Sequence, residues 1–112
     1  GWRPGWSTDY VAVRLADNYG IKRIVNLSNI DYVYDSDPRK NSRAKRFTEI
    51  NWKAFRKLVG SKWDPGANVP FDPVAAKWGE KMGAEIAILN GKNIANVRKC
   101  IREELFKGTT IR

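Results

Sequence analysis

Apolar residues recur along the chain in two alternating rhythms, one helical and one strand-like. Val11, Ala12, Leu15, Ala16 and Tyr19 stand three and four residues apart behind Ser7-Thr8-Asp9, whose short polar side chains suit a helix opening. Gly20 follows where a left-handed stop belongs, so the pattern predicts a helix over residues 8–19. Residues 21–28 then read as a short strand carrying Ile24, Val25 and Leu27. Turn formers dominate from Asn29 to Pro38, and this stretch is expected to be a loop with room for a hairpin.

Beyond the loop, Trp52, Phe55, Leu58 and Val59 share one helical face between a candidate cap, Asn51, and a stop, Gly60. Trp63-Asp64-Pro65-Gly66 and Asn68-Val69-Pro70 punctuate a second loop. Asp72-Pro73 has the chemistry of a helix start, acid at the cap and proline at the first helical position, and Val74, Ala75, Trp78 and Met82 are its expected buried stripe up to Gly83. Residues 85–89 form the next strand and Asn90-Gly91 a turn. Ile94, Val97, Ile101 and Leu105 mark a helix over about 93–104, and residues 108–111 a last short strand. Helix, strand, loop insertion, helix, strand, helix, strand describes an α/β fold with a mostly parallel sheet flanked by helices. A Gly/Pro/Trp loop leading straight into a capped helix leaves such a fold without its usual first strand, so the sequence reads as part of a larger domain.

Composition narrows the chemistry. With 112 residues the chain is expected to make one domain, and 42% hydrophobic with 29% charged residues is a globular balance. No apolar run approaches the roughly 20 residues that span a bilayer, and no membrane partner is expected. Cys100 is the single cysteine and histidine is absent, which removes disulfides, the usual structural zinc ligands and the commonest general base. No protein-built metal site is expected, and a reducing cytoplasm is the expected compartment. The formal net charge of +9 is concentrated: residues 39–62 hold nine basic residues against the single acid Glu49. Such a segment attracts nucleotides, polyanions or acidic surfaces, and it is equally compatible with a solvated face.

In open α/β sheets ligands gather beyond the carboxyl ends of the strands, where helix openings offer N–H groups to phosphate. The loop after Ser28 and the loop before Asp72 both feed that edge. Four motifs occur in order: Ser7-Thr8-Asp9; Leu27-Ser28-Asn29-Ile30-Asp31-Tyr32-Val33-Tyr34 with Asp37-Pro38; Pro70-Phe71-Asp72-Pro73-Val74-Ala75-Ala76-Lys77; and Lys107-Gly108-Thr109-Thr110-Ile111. Together they resemble the C-terminal half of the amino-acid kinases, whose fold is carbamate-kinase-like, and within them the archaeal-type uridylate kinases.

The resemblance implies that residues 1–112 are the ATP-binding half of a kinase passing the ATP γ-phosphoryl to UMP, inactive without an N-terminal half absent from this chain. That half, or a second chain supplying it, would be a partner, and the complete protein a homo-oligomer. Asp9 would orient the catalytic lysine and donors, Thr8 and Ser7 would approach the acceptor, and Ser28, Asn29, Asp31, Tyr34, Asp37, Pro38, Asp72 and Pro73 would surround ATP. Mg²⁺ would arrive on the ATP phosphates. Phosphoryl transfer asks for alignment and charge stabilisation, so a site without histidine is no obstacle. The same residues have ordinary structural uses: Asp31 and Asp37 can close turns, Tyr34 can be core and Asp72 can simply cap its helix. The sequence departs from the family pattern in Tyr32, which stands where glycine is usual, in its five tryptophans, and in lacking the Gly-rich loops and lysine of the N-terminal half. Two other readings use the same residues: a non-catalytic nucleotide-sensing module, or a nucleic-acid-binding module built on the basic 39–62 segment with Trp52, Phe55 and Trp63 as stacking platforms.

Overall fold

The most apolar strand of the chain is buried on both faces because helices cover both. The computed structural model describes residues 8–35, 41–59 and 71–112. Its elements are α1 (Thr8–Asn18), β1 (Arg23–Ser28), β2 (Val33–Tyr34), β3 (Arg46–Phe47), β4 (Glu49–Ile50), α2 (Trp52–Val59), α3 (Pro73–Met82), β5 (Glu85–Asn90), α4 (Ile94–Ile101) and β6 (Thr109–Ile111). Four strands form one sheet in the order β1-β5-β6-β4, and β2 with β3 makes a small antiparallel hairpin. β1 runs parallel to β5 and β4 parallel to β6, while β5 and β6 are antiparallel. The mostly parallel α/β sheet read from the sequence is the one observed.

Alternation along β5 divides the core. Ile86 and Ile88 face the larger cluster, with Val13, Trp52, Phe55, Ala75, Ala76 and Ile111, beneath α1, α2 and α3. Ala87 and Leu89 face a smaller cluster with Cys100, joined by Val25, Val97 and Phe106 at α4. β5 reads as a continuous apolar run for this reason. At the α2–α3 contact, Gly79 leaves room for the Trp52 ring, since a Cβ there would lie 2.7 Å from it. The Trp52 indole N–H donates to the Ala84 carbonyl at 2.7 Å.

All three described helix ends facing the lower side of the sheet close in the same way, with the chain turning through a left-handed residue. Gly20 and Gly83 both have φ +68, and their turns pair Ile21 N–H with Ala16 O and Ala84 N–H with Gly79 O. α4 ends through Glu103, whose φ of 61 is unusual outside glycine, with Glu104 N–H bonded to Lys99 O. The helix predicted to run to residue 104 therefore stops at Ile101.

Three predicted stripes are corrected: in α3 the buried residues are Pro73, Ala75, Ala76 and Gly79, with Val74, Trp78 and Met82 half-buried. α1 buries Val13 and Ala16, whereas Ala12, Leu15 and Tyr19 are exposed. α4 buries Asn96 and Cys100, and its apolar residues Ile94 and Ile101 stay 64% and 63% exposed, with Leu105 beyond it at 95%. For α1 and α4 the cause lies in polar tethers. Trp78 of α3 donates to Asp17 at 3.2 Å while Arg14 stacks on the same indole, 4.4 Å from its centroid, which fixes the roll of α1. Asn96 bonds the Lys107 backbone twice, at 2.7 Å each, which fixes the roll of α4.

Candidate functional site

α1 precedes β1, α3 precedes β5, and α4 follows β5, so all three helices open toward the carboxyl ends of β1 and β5. Register sets Ser28 opposite Asn90 at that edge. The Ser28 hydroxyl accepts from Ile30 N–H at 3.3 Å, closing a turn after β1, and its carbonyl accepts from Gly91 N–H at 3.0 Å, which carries the β1–β5 pairing to the strand ends. The Asn90 side-chain amide donates to the Asp31 carboxylate at 3.1 Å. Asp31 is thus held at the end of β5, and sequence reasoning, which took Asn90 only as a turn former, missed its part.

On the helix side of the same edge, Asp72 is buried as the cap of α3 and its carboxylate accepts from Val74 N–H at 3.1 Å. Pro73 sits in the first turn, as its chemistry requires. The Asp72 N–H donates to the Asp9 carboxylate at 3.1 Å, so the openings of α1 and α3 are joined. Burial raises the Asp9 pKa above its ordinary value; the Asp72 N–H opposes the shift and the Asp72 charge adds to it. Two carboxylates with a shared backbone link therefore mark the sheet edge.

The hairpin forms the third side. Val33 pairs with Phe47 and Tyr34 with Arg46. The Asp35 carboxylate accepts from Lys45 N–H at 2.8 Å at its tip. Tyr34 is half-buried, Asn29 and Asp31 are exposed, and Tyr32 carries the Arg46 guanidinium 4.8 Å from its ring centroid. Among the described non-glycine residues only Glu103 has positive φ, so Tyr32 adopts a backbone ordinary for an L-residue. Ser7, Asp37 and Pro38 lie outside the described residues, as does the side chain of Thr8, the first residue of α1.

Among the described residues the basic segment does not offer the aromatic platform considered for nucleic acid. Trp52 and Phe55 lie in the core, edge to face with centroids 6.1 Å apart, and Arg56 pairs with Glu80 at 2.6 Å. Trp63 lies outside the described residues. Among the described residues no three of His, Cys, Asp and Glu converge to hold a metal ion, and no helix is long and apolar enough to cross a membrane.

Helices opening toward the carboxyl edge of a mostly parallel sheet, with acidic residues at two of the openings, define a class of α/β domain that handles ligands at that edge. The chain belongs to the amino acid kinase family, whose model matches residues 5–90. It is 33% identical to the uridylate kinase of Methanocorpusculum labreanum over 112 residues, which is 99% of this chain and 48% of that protein. With the uridylate kinase of Pyrococcus abyssi the identity is 35%, over 99% of this chain and 49% of the relative. The crystal structure of uridylate kinase from Archaeoglobus fulgidus superposes with a TM-score of 0.82 and 29% identity, covering all of this chain and 50% of that one. The chain thus spans about half the length of the relatives it matches. A structure of isopentenyl phosphate kinase shares the fold, at TM-score 0.63 and 20% identity over 96% of this chain and 40% of that one.

Proposed function

We propose that this chain is the ATP-binding half of a kinase that transfers the γ-phosphoryl group of ATP to UMP, and that it turns over only when joined to an N-terminal half. The observation that carries the reading is the joined opening of α1 and α3, Asp9 on the Asp72 N–H, in a chain matched along almost its whole length by archaeal uridylate kinases. The carboxylate of Asp9 has a fixed direction at the edge where the phosphoryl group would pass, and its role is to orient the lysine and donors of the other half. In this reading Thr8 and Ser7 would approach the acceptor. Ser28, Asn29 and Asp31 would serve the ATP phosphates and ribose, Tyr34, Asp37 and Pro38 the nucleoside, and Asp72 and Pro73 the rim of the same pocket. Mg²⁺ would be carried by the nucleotide phosphates, neutralising charge that the protein's carboxylates would otherwise repel. The working compartment is the cytoplasm and the complete protein an oligomer.

Complementation tests this reading. The purified chain, mixed or fused with the N-terminal half of an archaeal uridylate kinase, is expected to form ADP from ATP only when UMP is added, and the chain alone to form none. Robust turnover by the chain alone would contradict the need for a second half. A complemented enzyme that ignores UMP but accepts isopentenyl phosphate would move the acceptor to a different class.

A further inference from the structure

One buried hydroxyl joins the hairpin to the main sheet. Thr109, fully buried at the start of β6, accepts a hydrogen bond from Val33 N–H at 2.8 Å and donates one to the Phe47 carbonyl. Val33 and Phe47 are cross-strand partners, so a single side chain holds both strands of the hairpin at the same rung. The next rung outward is Tyr34 with Arg46, followed by Asp35 and Lys45. A pair of two-residue strands is far too short to hold its own geometry in water. Its position is set from below.

The position of Thr109 is fixed in turn. Asn96 of α4, itself buried, clasps Lys107 through both its N–H and its carbonyl at 2.7 Å. Gly108 lies so close to β5 that a Cβ would meet the Ile88 carbonyl oxygen at 2.6 Å. Lys107 and Gly108, the two residues before β6, thus have no freedom to shift along the sheet.

We propose that Thr109 is a positioning residue for nucleotide binding: its hydroxyl sets the height of the β2–β3 hairpin, and through it Tyr34, over the carboxyl edge of the sheet. This rests on the nucleotide reading above. Thr109→Val removes the hydroxyl at nearly constant shape, and Thr109→Ser keeps it. Because the Val33 N–H loses its buried acceptor, the Val33 amide in Thr109→Val is expected to exchange roughly tenfold faster or more, while Ala87 in β5 is unchanged. The MgATP concentration at half-maximal NMR shift should rise about tenfold in the same variant, and Thr109→Ser should restore both. Faster Val33 exchange with unaltered MgATP binding would overturn the positioning role, and so would unaltered exchange. If Thr109→Val does not fold, Thr109→Ser decides: the proposal requires that it keep wild-type Val33 protection and MgATP affinity, and loss of either would overturn it. A wild-type chain with no MgATP shifts would refute the nucleotide reading itself, leaving Val33 exchange to report the tether separately.

Discussion

Burial gives Asp9 a conflict that its neutral counterpart would not have. Its carboxylate loses water, faces the Asp72 charge and receives one backbone N–H in return, with a net rise in pKa. A carboxyl whose folded pKa is raised contributes most stability below its unfolded pKa of about 4, and that contribution is lost as pH rises through the folded value. Asp9→Asn keeps an oxygen for the Asp72 N–H and removes the charge. The variant is therefore expected to melt above the wild-type chain at neutral pH, the gap closing as pH falls below the carboxylate range; thermal melts across a pH series would show it. In the complemented enzyme the same change should lower kcat by about 10²-fold, the usual scale for losing one preorganised polar group at a transition state. A more stable protein that transfers phosphoryl groups poorly is the expected combination, and equal activity of the two would remove Asp9 from the mechanism.

Between elements, Trp52 of α2 fits closely against Gly79 of α3. A methyl at residue 79 would lie 2.7 and 2.9 Å from the indole ring, whose N–H is anchored on Ala84. Gly79→Ala normally favours a helix by a few tenths to 1 kcal/mol, yet here displacement of a core ring should outweigh that and leave the chain destabilised by about 1–3 kcal/mol. Denaturant unfolding monitored by tryptophan emission would measure it; a neutral or stabilising result would mean that Trp52 has room to move. This contact was only half legible in the sequence. Trp52 and Phe55 declare the face of α2, and Asp72-Pro73 declares the start of α3, because capping and periodicity are local chemistry. The four strand-end and helix-opening motifs likewise pointed to the sheet edge. What the sequence concealed depends on distant partners: β3 and β4 are two residues each, too short for any period, and Glu103 ends a helix without being glycine. The apolar spacing of α4 suggested the wrong face because Asn96, a polar residue, is the one drawn inward by the Lys107 backbone. Asn90 at the site was invisible until register set it beside Ser28.

Across the whole molecule the two ends of the sheet differ. Opposite the candidate site, Arg23, Glu85, Arg112 and Glu49 alternate in sign from β1 through β5 and past β6 to β4, linked by contacts of 3.2, 2.9 and 2.5 Å. Pairs at or near the surface like these are individually weak, so their arrangement says more about which strands are neighbours than about stability. β6 follows every other element in the chain and yet is an inner strand, between β5 and β4. β5, α4 and β6 form one continuous segment, whereas the β1–β5 and β4–β6 pairings each join residues about sixty apart. In pulse-labelled hydrogen exchange during refolding, the Lys107 amide on Asn96 should become protected first, and those of Thr110 and Arg112, bonded to Thr48 and Ile50, later. Protection of Thr110 ahead of Lys107 would reverse that order. The consequence reaches into synthesis on the ribosome: β4 is made about sixty residues before β6 and acquires its strand partner only when β6 emerges. Until then the nascent protein carries an unpaired strand edge, the kind of surface that chaperones bind.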